Sequence, residues 1–548
     1  MTEFDRDRAL GRLADEEFDV LVIGGGITGA GVALDAAARG LRTALVDKGD
    51  FASGTSSKSS KLVHGGLRYL QQKEYVLVYE NLAERQRLLD NAPHLVHVLP
   101  FLIPIFGRSG VLKKSVAKVY STALWLYDFT GGLRIGKRHK RVSLDEAFAH
   151  MPTMRREFLV AGFLYYDARA DDARLTLTIL RTAVVDHGAV AANYAPVTAL
   201  LKDDAGQVRG ARLADGTEVR AASVVNAAGV WVDDVRELDT GEHPRSLRPA
   251  KGIHITVPWD KVRCDIAAVI PVPKDRRSIF VVPWGDRVYL GTTDTDYEGP
   301  LDDPACTPED IRYILDAINL IVTEPLTEAD VLGTWAGLRP LQKHAGSERT
   351  ADLSRRHSVV PSDSGLVTVT GGKLTTYRKM AADAVDVVVK RIGRGARRSP
   401  TKKMALRGTA GYDAMTADGA AARIGLNPAV LAHLADRFGG EARTLIAMIQ
   451  ADPTLGEPLV PTLPYLRAEA IYAVRYEMAH TLEDILSRRT RALLLARDAS
   501  AAAAPDVARL VAPELGWDDA EVDRQVAAFV ARATKERADA HLPETVLT

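Results

Sequence analysis

Apolar and polar positions follow two different periods along this chain. Phe18-Asp19-Val20-Leu21-Val22-Ile23 is a nearly unbroken apolar run, the pattern of a buried parallel strand. Three glycines follow. Residues 27–39 then have helical content, with Ala30, Ala33, Leu34 and Ala37 available for one apolar face and Gly40 as a stop. Thr43-Ala44-Leu45-Val46 predicts a second strand ending at Asp47. Residues 222–226 and 366–370 read as later strands returning to the same sheet. The first runs out into Ala227-Ala228-Gly229, and the second breaks at Gly371-Gly372-Lys373 before a helix from about Thr375. Between these returns, residues 253–257, 278–284 and 288–294 alternate with period two, which predicts antiparallel strands of a second sheet. Residues 394–407 form a basic, linker-like stretch, and mainly helical patterns occupy 415–538.

Composition narrows the possibilities. A length of 548 residues suggests three or four domains. Lys plus Arg and Asp plus Glu both total 71, which argues against a globally basic nucleic-acid binder and a charge-rich disordered chain. The two cysteines, Cys264 and Cys306, lie far apart, so neither a disulfide scaffold nor a cysteine-based metal site is expected, and no metal is. Residues 1–12 mix acids and bases without a signal-peptide core. Residues 20–34 are too few and too glycine-rich to span a bilayer. A cytoplasmic protein able to lie on the inner face of the cell membrane is therefore expected.

The chemistry begins at Gly24, Gly26 and Gly29, which fit G-x-G-x-x-G between a strand and a helix, with an acid closing the next strand. Glycines in this setting let backbone reach a pyrophosphate at a helix N-terminus, while Asp47 sits where a carboxylate binds ribose hydroxyls. The pattern alone does not separate NAD from FAD. The hydroxyl-rich Gly54-Thr55-Ser56-Ser57-Lys58-Ser59-Ser60-Lys61 does, being suited to a diphosphate and a ribityl chain. His64-Gly65-Gly66-Leu67-Arg68-Tyr69 follows, and its glycines would let backbone approach a flat ring. A Ser/Gly-rich loop without function is the plain alternative, but its place directly after the second strand weighs against that. A helix N-terminus just after Gly371-Gly372 would offer N–H groups to a flavin carbonyl.

These strings, together with Lys251-Gly252-Ile253-His254-Ile255, Gly291-Thr292-Thr293-Asp294, Gly337-Leu338-Arg339-Pro340 and Gly371-Gly372-Lys373-Leu374-Thr375-Thr376-Tyr377-Arg378, resemble the FAD-dependent glycerol-3-phosphate dehydrogenases over nearly the whole chain. The sequence departs from the commoner Gly-Ser-His form of that family at Ile253. On a strand, Ile253 points away from the face of His254. The resemblance implies an α/β fold: an FAD-binding dinucleotide domain of the glutathione-reductase/D-amino-acid-oxidase kind, an inserted antiparallel-sheet substrate domain and a C-terminal helical domain. The expected boundaries are 16–106, 155–245 and 330–393 for the discontinuous FAD domain, 107–154 and 246–329 for the cap, and 394–548 for the helices. It further implies oxidation of sn-glycerol 3-phosphate to dihydroxyacetone phosphate, with electrons passed from FAD to a membrane quinone, and leaves a homodimer open.

Residues are assigned to that chemistry as follows. His254 is the candidate base, because an ordinary imidazole is largely neutral at physiological pH. A satisfied core histidine is its bland alternative and His64 its rival. Arg68, Arg339 and Lys373 are candidate phosphate ligands, with Tyr69 and Thr376 as weaker contacts. Surface ion pairs are the bland reading of the cations, and Lys373 could instead sit by the pyrimidine side of the flavin. The expected cofactor contacts are Gly24, Gly26, Ile27, Thr28, Gly29, Asp47, Thr55, Ser56, Ser57, Ser60, Lys61, His64, Gly65, Gly66, Leu67, Ala228, Gly229, Gly372, Lys373, Leu374 and Thr375. Competing functions are an amine or amino-acid oxidase, a glycerol-3-phosphate oxidase using oxygen, and a non-enzymatic flavin-binding protein that recruits partners through its C-terminal helices. Residues 107–141 carry Arg108, Lys113, Lys114, Lys118, Arg134, Lys137, Arg138, Lys140 and Arg141 against Asp128 alone, around an apolar segment with Tyr120, Trp125 and Tyr127. That pattern suits an anionic membrane surface.

Overall fold

The computed structural model describes residues 4–67, 69, 74–106, 114–272, 277–343, 356–393 and 395–545. Two large sheets organise it. The first has eight strands, with the main path Ser358–Pro361, Val367–Thr370, Glu218–Asn226, Glu17–Ile23, Thr43–Val46, Val190–Ala192. Its centre is parallel. Glu17–Ile23 runs beside Glu218–Asn226 on one side and Thr43–Val46 on the other, with Ile23 opposite both Asn226 and Val46. Residues two hundred positions apart in sequence thus end at the same sheet edge. The apolar run 18–23 is buried along its length, as a parallel strand covered on both faces requires. Helix Ile27–Ala38 packs against helices Asp172–Arg181 and Tyr377–Ile392. The expected helix after Gly372 opens with a single tight turn, Leu374–Thr376, and becomes regular at Tyr377.

The second sheet has ten strands. Its main path is Thr295–Asp296, Leu247–Pro258, Arg287–Gly291, Ser278–Trp284, Ala267–Pro271, Val96–Phe106, Leu159–Ala170, Leu62–Val63. Gly333–Gln342 pairs with Leu247–Pro258, and Lys140–Val142 with Leu159–Ala170. The sheet is mixed rather than purely antiparallel, because Ala267–Pro271 runs parallel to Val96–Phe106. The expected domain boundaries need correcting here. Strands Val96–Phe106, Leu159–Ala170 and Gly333–Gln342 belong to this sheet, although the sequence reading placed the whole of each in the nucleotide domain. They are buried on both faces for most of their length. An apolar run of that kind carries no mark of which sheet it will join. Along Leu247–Pro258, Ile253, Ile255 and Val257 pack with Ile311, Ile314 and Ile318 of helix Pro308–Asn319, while His254 looks to the opposite face, beside Tyr289 and Trp335.

The C-terminal region is helical, as expected, with Pro428–Phe438, Ala442–Ala451, Arg467–Glu477, Arg497–Leu515 and Asp519–Asp539 as its main members. The basic stretch before it is no free linker. Ser399 and Thr401 both donate to the buried Asp35, and Arg407 pairs with Asp186 at 2.6 Å and Glu441 at 2.8 Å.

Leu21 lies at the centre of the parallel sheet and is 0% exposed. Leu21→Ala removes its side chain from a site with little room to collapse, so the expected loss is about 2–5 kcal/mol. A urea titration checks this: the midpoint should fall, and an unchanged midpoint would contradict the buried assignment.

Candidate active site

The edge where Glu17–Ile23, Thr43–Val46 and Glu218–Asn226 end opens into a single cavity of about 1460 Å³ that extends between the two sheets. At its nucleotide end Gly24 takes φ +110°, and a Cβ there would lie 2.7 Å from the Ala227 carbonyl oxygen. A Cβ on Gly29 would fall 1.8 Å from the Gly24 oxygen, so this glycine lets helix and strand close together and does not itself reach the cavity. Helix Ile27–Ala38 starts at Gly26 with no side-chain cap of its own. The Ile27 N–H donates to the Ser56 hydroxyl at 2.8 Å, bringing the serine loop onto the helix N-terminus. The Asp47 carboxylate accepts the Gly25 and Gly49 N–H groups at 2.5 and 2.8 Å, and each oxygen keeps lone-pair capacity for a ribose hydroxyl. Burial pushes its pKa up to about 6, against the lowering effect of those N–H donors.

The serine loop is tied on several sides. Thr55 donates to the Leu338 carbonyl at 2.6 Å, Trp335 to the Ser59 carbonyl at 3.1 Å, and Tyr289 to the Ser60 carbonyl at 2.9 Å. Thr375 accepts the His64 N–H at 3.2 Å, joining the two glycine-rich turns. The cavity wall continues through His64, Gly66, Leu67 and Tyr69 to Gly372, Lys373 and Leu374, and Thr28, Ser57, Ala228 and Gly229 also line it. The Lys373 ammonium lies 3.8 Å from the centre of the Tyr69 ring. Arg339 is held by Asp294 at 3.1 Å and by the Thr292 hydroxyl at 3.2 Å.

Not every expected residue reaches this wall. Lys61 turns away into a buried pair with Asp172 at 3.0 Å. Gly65 is packed beneath the wall, its N–H donating to Tyr127 and Asp167. Thr376 is buried and donates to the Lys373 carbonyl at 3.3 Å. Arg68 lies outside the described residues. His254 also stops short. It stacks on Trp335, with centroids 4.7 Å apart, and its Nε2 meets the Ser60 hydroxyl at 2.9 Å, so Ser60 stands between it and the cavity. Its Nδ1 is buried with no hydrogen-bond partner among the described residues. Burial, then the charges of Lys61 and Arg339, holds its pKa well below the ordinary value, and the ring is neutral.

Several cavity residues escaped the sequence reading. Trp231, Arg277, Thr292, Asp294, Trp335 and Arg491 line the cavity. Thr292 and Asp294 lay in a quoted string without a role. Arg491 carries no local signal, since it belongs to a helical domain far along the chain.

A glycine cradle at a helix N-terminus, a buried carboxylate at the end of the second strand and a hydroxyl-rich loop together suit FAD, the cofactor of a flavin-dependent oxidoreductase. Residues 19–378 match the FAD dependent oxidoreductase family, and residues 399–522 the C-terminal domain of alpha-glycerophosphate oxidase. The chain is 43% identical to glycerol-3-phosphate dehydrogenase 2 of Mycobacterium tuberculosis over 98% of its length and 91% of that protein. It is 39% identical to mitochondrial glycerol-3-phosphate dehydrogenase of Homo sapiens over 93% of this chain and 72% of that protein. The X-ray structure of glycerol-3-phosphate dehydrogenase from Bacillus halodurans complexed with FAD superposes with a TM-score of 0.78 at 32% identity, both chains being covered completely. The chain belongs to the FAD-dependent glycerol-3-phosphate dehydrogenase family.

The raised pKa of Asp47 sets a pH dependence. Ribose hydroxyls held by Asp47 would need its carboxylate ionised, so FAD affinity is expected to rise with pH through about 6. FAD titrations of the apoprotein from pH 5 to 8 should show this rise in the parent and a weaker, flat profile in Asp47→Asn. A parental profile that is itself flat would remove Asp47 from the cofactor contacts.

Proposed function

We propose that the protein oxidises sn-glycerol 3-phosphate to dihydroxyacetone phosphate and passes the electrons on to a membrane quinone. The observation that carries the reading is the continuity of the cavity: the nucleotide cradle runs into a wall bearing Tyr69 and two cations, Arg339 and Lys373, which suit a small phosphorylated substrate. The names of the relatives over nearly the full chain point the same way.

When bound, FAD supplies the hydride acceptor. The protein's own residues do the remaining work. Arg339, its guanidinium already oriented by Asp294 and Thr292, takes the phosphate bidentately, and Lys373 adds a point contact. The neutral His254 is free to accept the C2 hydroxyl proton at Nε2. Because Ser60 intervenes, the proton passes through the Ser60 hydroxyl, which gives up its own proton to His254 as it takes the substrate's.

Anaerobic mixing with glycerol 3-phosphate should bleach the flavin absorbance, and no bleaching at millimolar substrate would sink the assignment. Arg339→Ala should weaken substrate binding by about 1.5–3 kcal/mol, roughly ten- to a hundredfold in the half-saturating concentration, with little change in the limiting reduction rate. His254→Ala and Ser60→Ala should do the reverse, slowing reduction at saturating substrate. Parental behaviour of all three variants would contradict these roles.

The membrane part of the reading rests on the surface. Tyr75, Val76, Tyr79, Trp125, Leu126 and Phe129 are exposed, Phe129 by 74%. Arg134 lies over the Tyr79 ring and Arg138 over the Trp125 ring, at 4.8 and 5.9 Å, joining apolar and basic groups on one face. Large exposed apolar patches rimmed by polar groups mark interaction sites, and quinones reside in bilayers. Arg108 and Lys113, part of the basic cluster expected here, lie outside the described residues, and no described helix is long and apolar enough to cross a membrane. Anionic liposomes should bind the protein, less so as salt is raised. Replacing Trp125 and Phe129 by Ser should reduce binding while leaving flavin reduction intact, and undiminished binding would move the docking face elsewhere, first to the basic run 390–407. One observation favours oxygen as acceptor instead, namely that residues 399–522 match the C-terminal domain of an oxidase. Oxygen uptake without added quinone would decide for it.

A further inference from the structure

The C-terminal helices place three arginines within one short segment, and all three reach into the nucleotide domain. Arg489 grips both carboxylate oxygens of Asp50, at 2.6 and 2.8 Å, and the Arg488 Nε reaches the same carboxylate at 2.5 Å. Asp50 stands three residues beyond Asp47, on the loop that closes the ribose end of the cavity. Arg491 reaches the other loop. It donates to the Ser57 carbonyl at 3.3 Å, to Asp171 at 3.0 Å and to Asp172. Asp172 in turn accepts the N–H and the hydroxyl of Ser59, at 2.9 and 2.7 Å, while Lys61 bridges the Ser57 carbonyl and Asp172 at 3.0 Å each. Arg491 is 1% exposed, and Arg488 and Arg491 both line the cavity.

Beyond the single tight turn Thr55–Ser57 the loop to Lys61 has no repeating backbone pattern to hold it, and Lys61 sits at φ +56°, a conformation a lysine seldom adopts. Its shape is therefore imposed by outside partners. A bidentate, rigid guanidinium suits that task better than a flexible ammonium. We propose that Arg491 is a positioning residue of the cofactor site: by holding the Ser57 carbonyl and Asp172 it sets the serine loop, so that docking of the C-terminal helical domain governs how tightly FAD is held. Arg488 and Arg489 extend the same control to the loop after Asp47. The proposal rests on FAD occupying the cavity and is independent of which substrate or acceptor the enzyme uses.

Reconstitution of the apoprotein tests it, read by quenching of flavin fluorescence and, separately, by melting of the apoprotein without FAD. Arg491→Met should raise the FAD dissociation constant by about tenfold or more, the size of a lost charge-assisted contact. Arg491→Lys should recover part of that loss, since it restores the charge without the fork. Arg475→Met removes an exposed pair with Glu514 within the same domain and should leave FAD affinity at the parental value. A purely architectural Arg491 would lower the melting temperature of the apoprotein while the folded fraction bound FAD normally. A dissociation constant within twofold of the parent in folded Arg491→Met overturns the proposal. If that variant does not accumulate folded, parental affinity in Arg491→Lys overturns it equally. A parental protein unable to take up FAD would overturn the cofactor assignment as well, which separates the two failures.

Discussion

The whole site hangs on the parallel register of three strands. Ile23 lies opposite Val46 on one side and Asn226 on the other, and each strand ends at the same edge. In an open α/β sheet that edge is where the backbone N–H groups of following turns point outward and where a ligand can be gripped. The Gly24 turn, Asp47 and the Ala227-Ala228-Gly229 turn all leave from it. Every other part of the cavity is arranged around this edge. The second sheet supplies the opposite wall, and the serine loop runs from one sheet to the other, leaving the end of Thr43–Val46 and entering Leu62–Val63.

Closing the cavity obliges the chain to bury charge. Asp50, Asp167, Asp172, Arg85, Arg489 and Arg491 are all nearly inaccessible. An isolated charge in such places would cost several kcal/mol, so each is paired: Arg85 with Asp167 at 2.6 Å, Arg489 with Asp50 at 2.6 Å, and Arg491 with Asp171 at 3.0 Å and with Asp172. Burial alone would raise the pKa of Asp50. The Arg489 and Arg488 charges more than offset it and hold the group far below the usual range. Such pairs are poor sources of net stability, but their directional hydrogen bonds decide which loops lie where. Here they decide it for both loops of the nucleotide cradle.

His254 illustrates the opposite arrangement. It is buried with no carboxylate partner among the described residues, stacked on Trp335 and near two cations, so its imidazole stays neutral. In the base role proposed for it, such a histidine accepts a proton only with help from negative charge arriving nearby, and a phosphorylated substrate would bring such charge. Its contact with Ser60 couples the substrate wall to the loop that the C-terminal arginines hold.

The nucleotide half was readable in the sequence because its signal is local. Strand, glycine turn, helix, strand and acid fall within residues 18–47, where backbone geometry alone fixes the spacing, and the serine loop follows at once. The period-two runs likewise announced a second sheet, and the late helical patterns a third region. Other features were decided only by packing. That Val96–Phe106 and Gly333–Gln342 join the second sheet was not legible, because a strand buried on both faces reads the same in either sheet. Lys61 looked like a cofactor contact and turned instead into Asp172. His254 stopped behind Ser60, 194 positions away, and Arg491 met Ser57 across 434. Local pattern specifies which elements form, whereas the direction of a buried side chain depends on partners that only the folded chain brings near, because a buried charge or hydrogen-bonding group must turn toward whatever can pair with it.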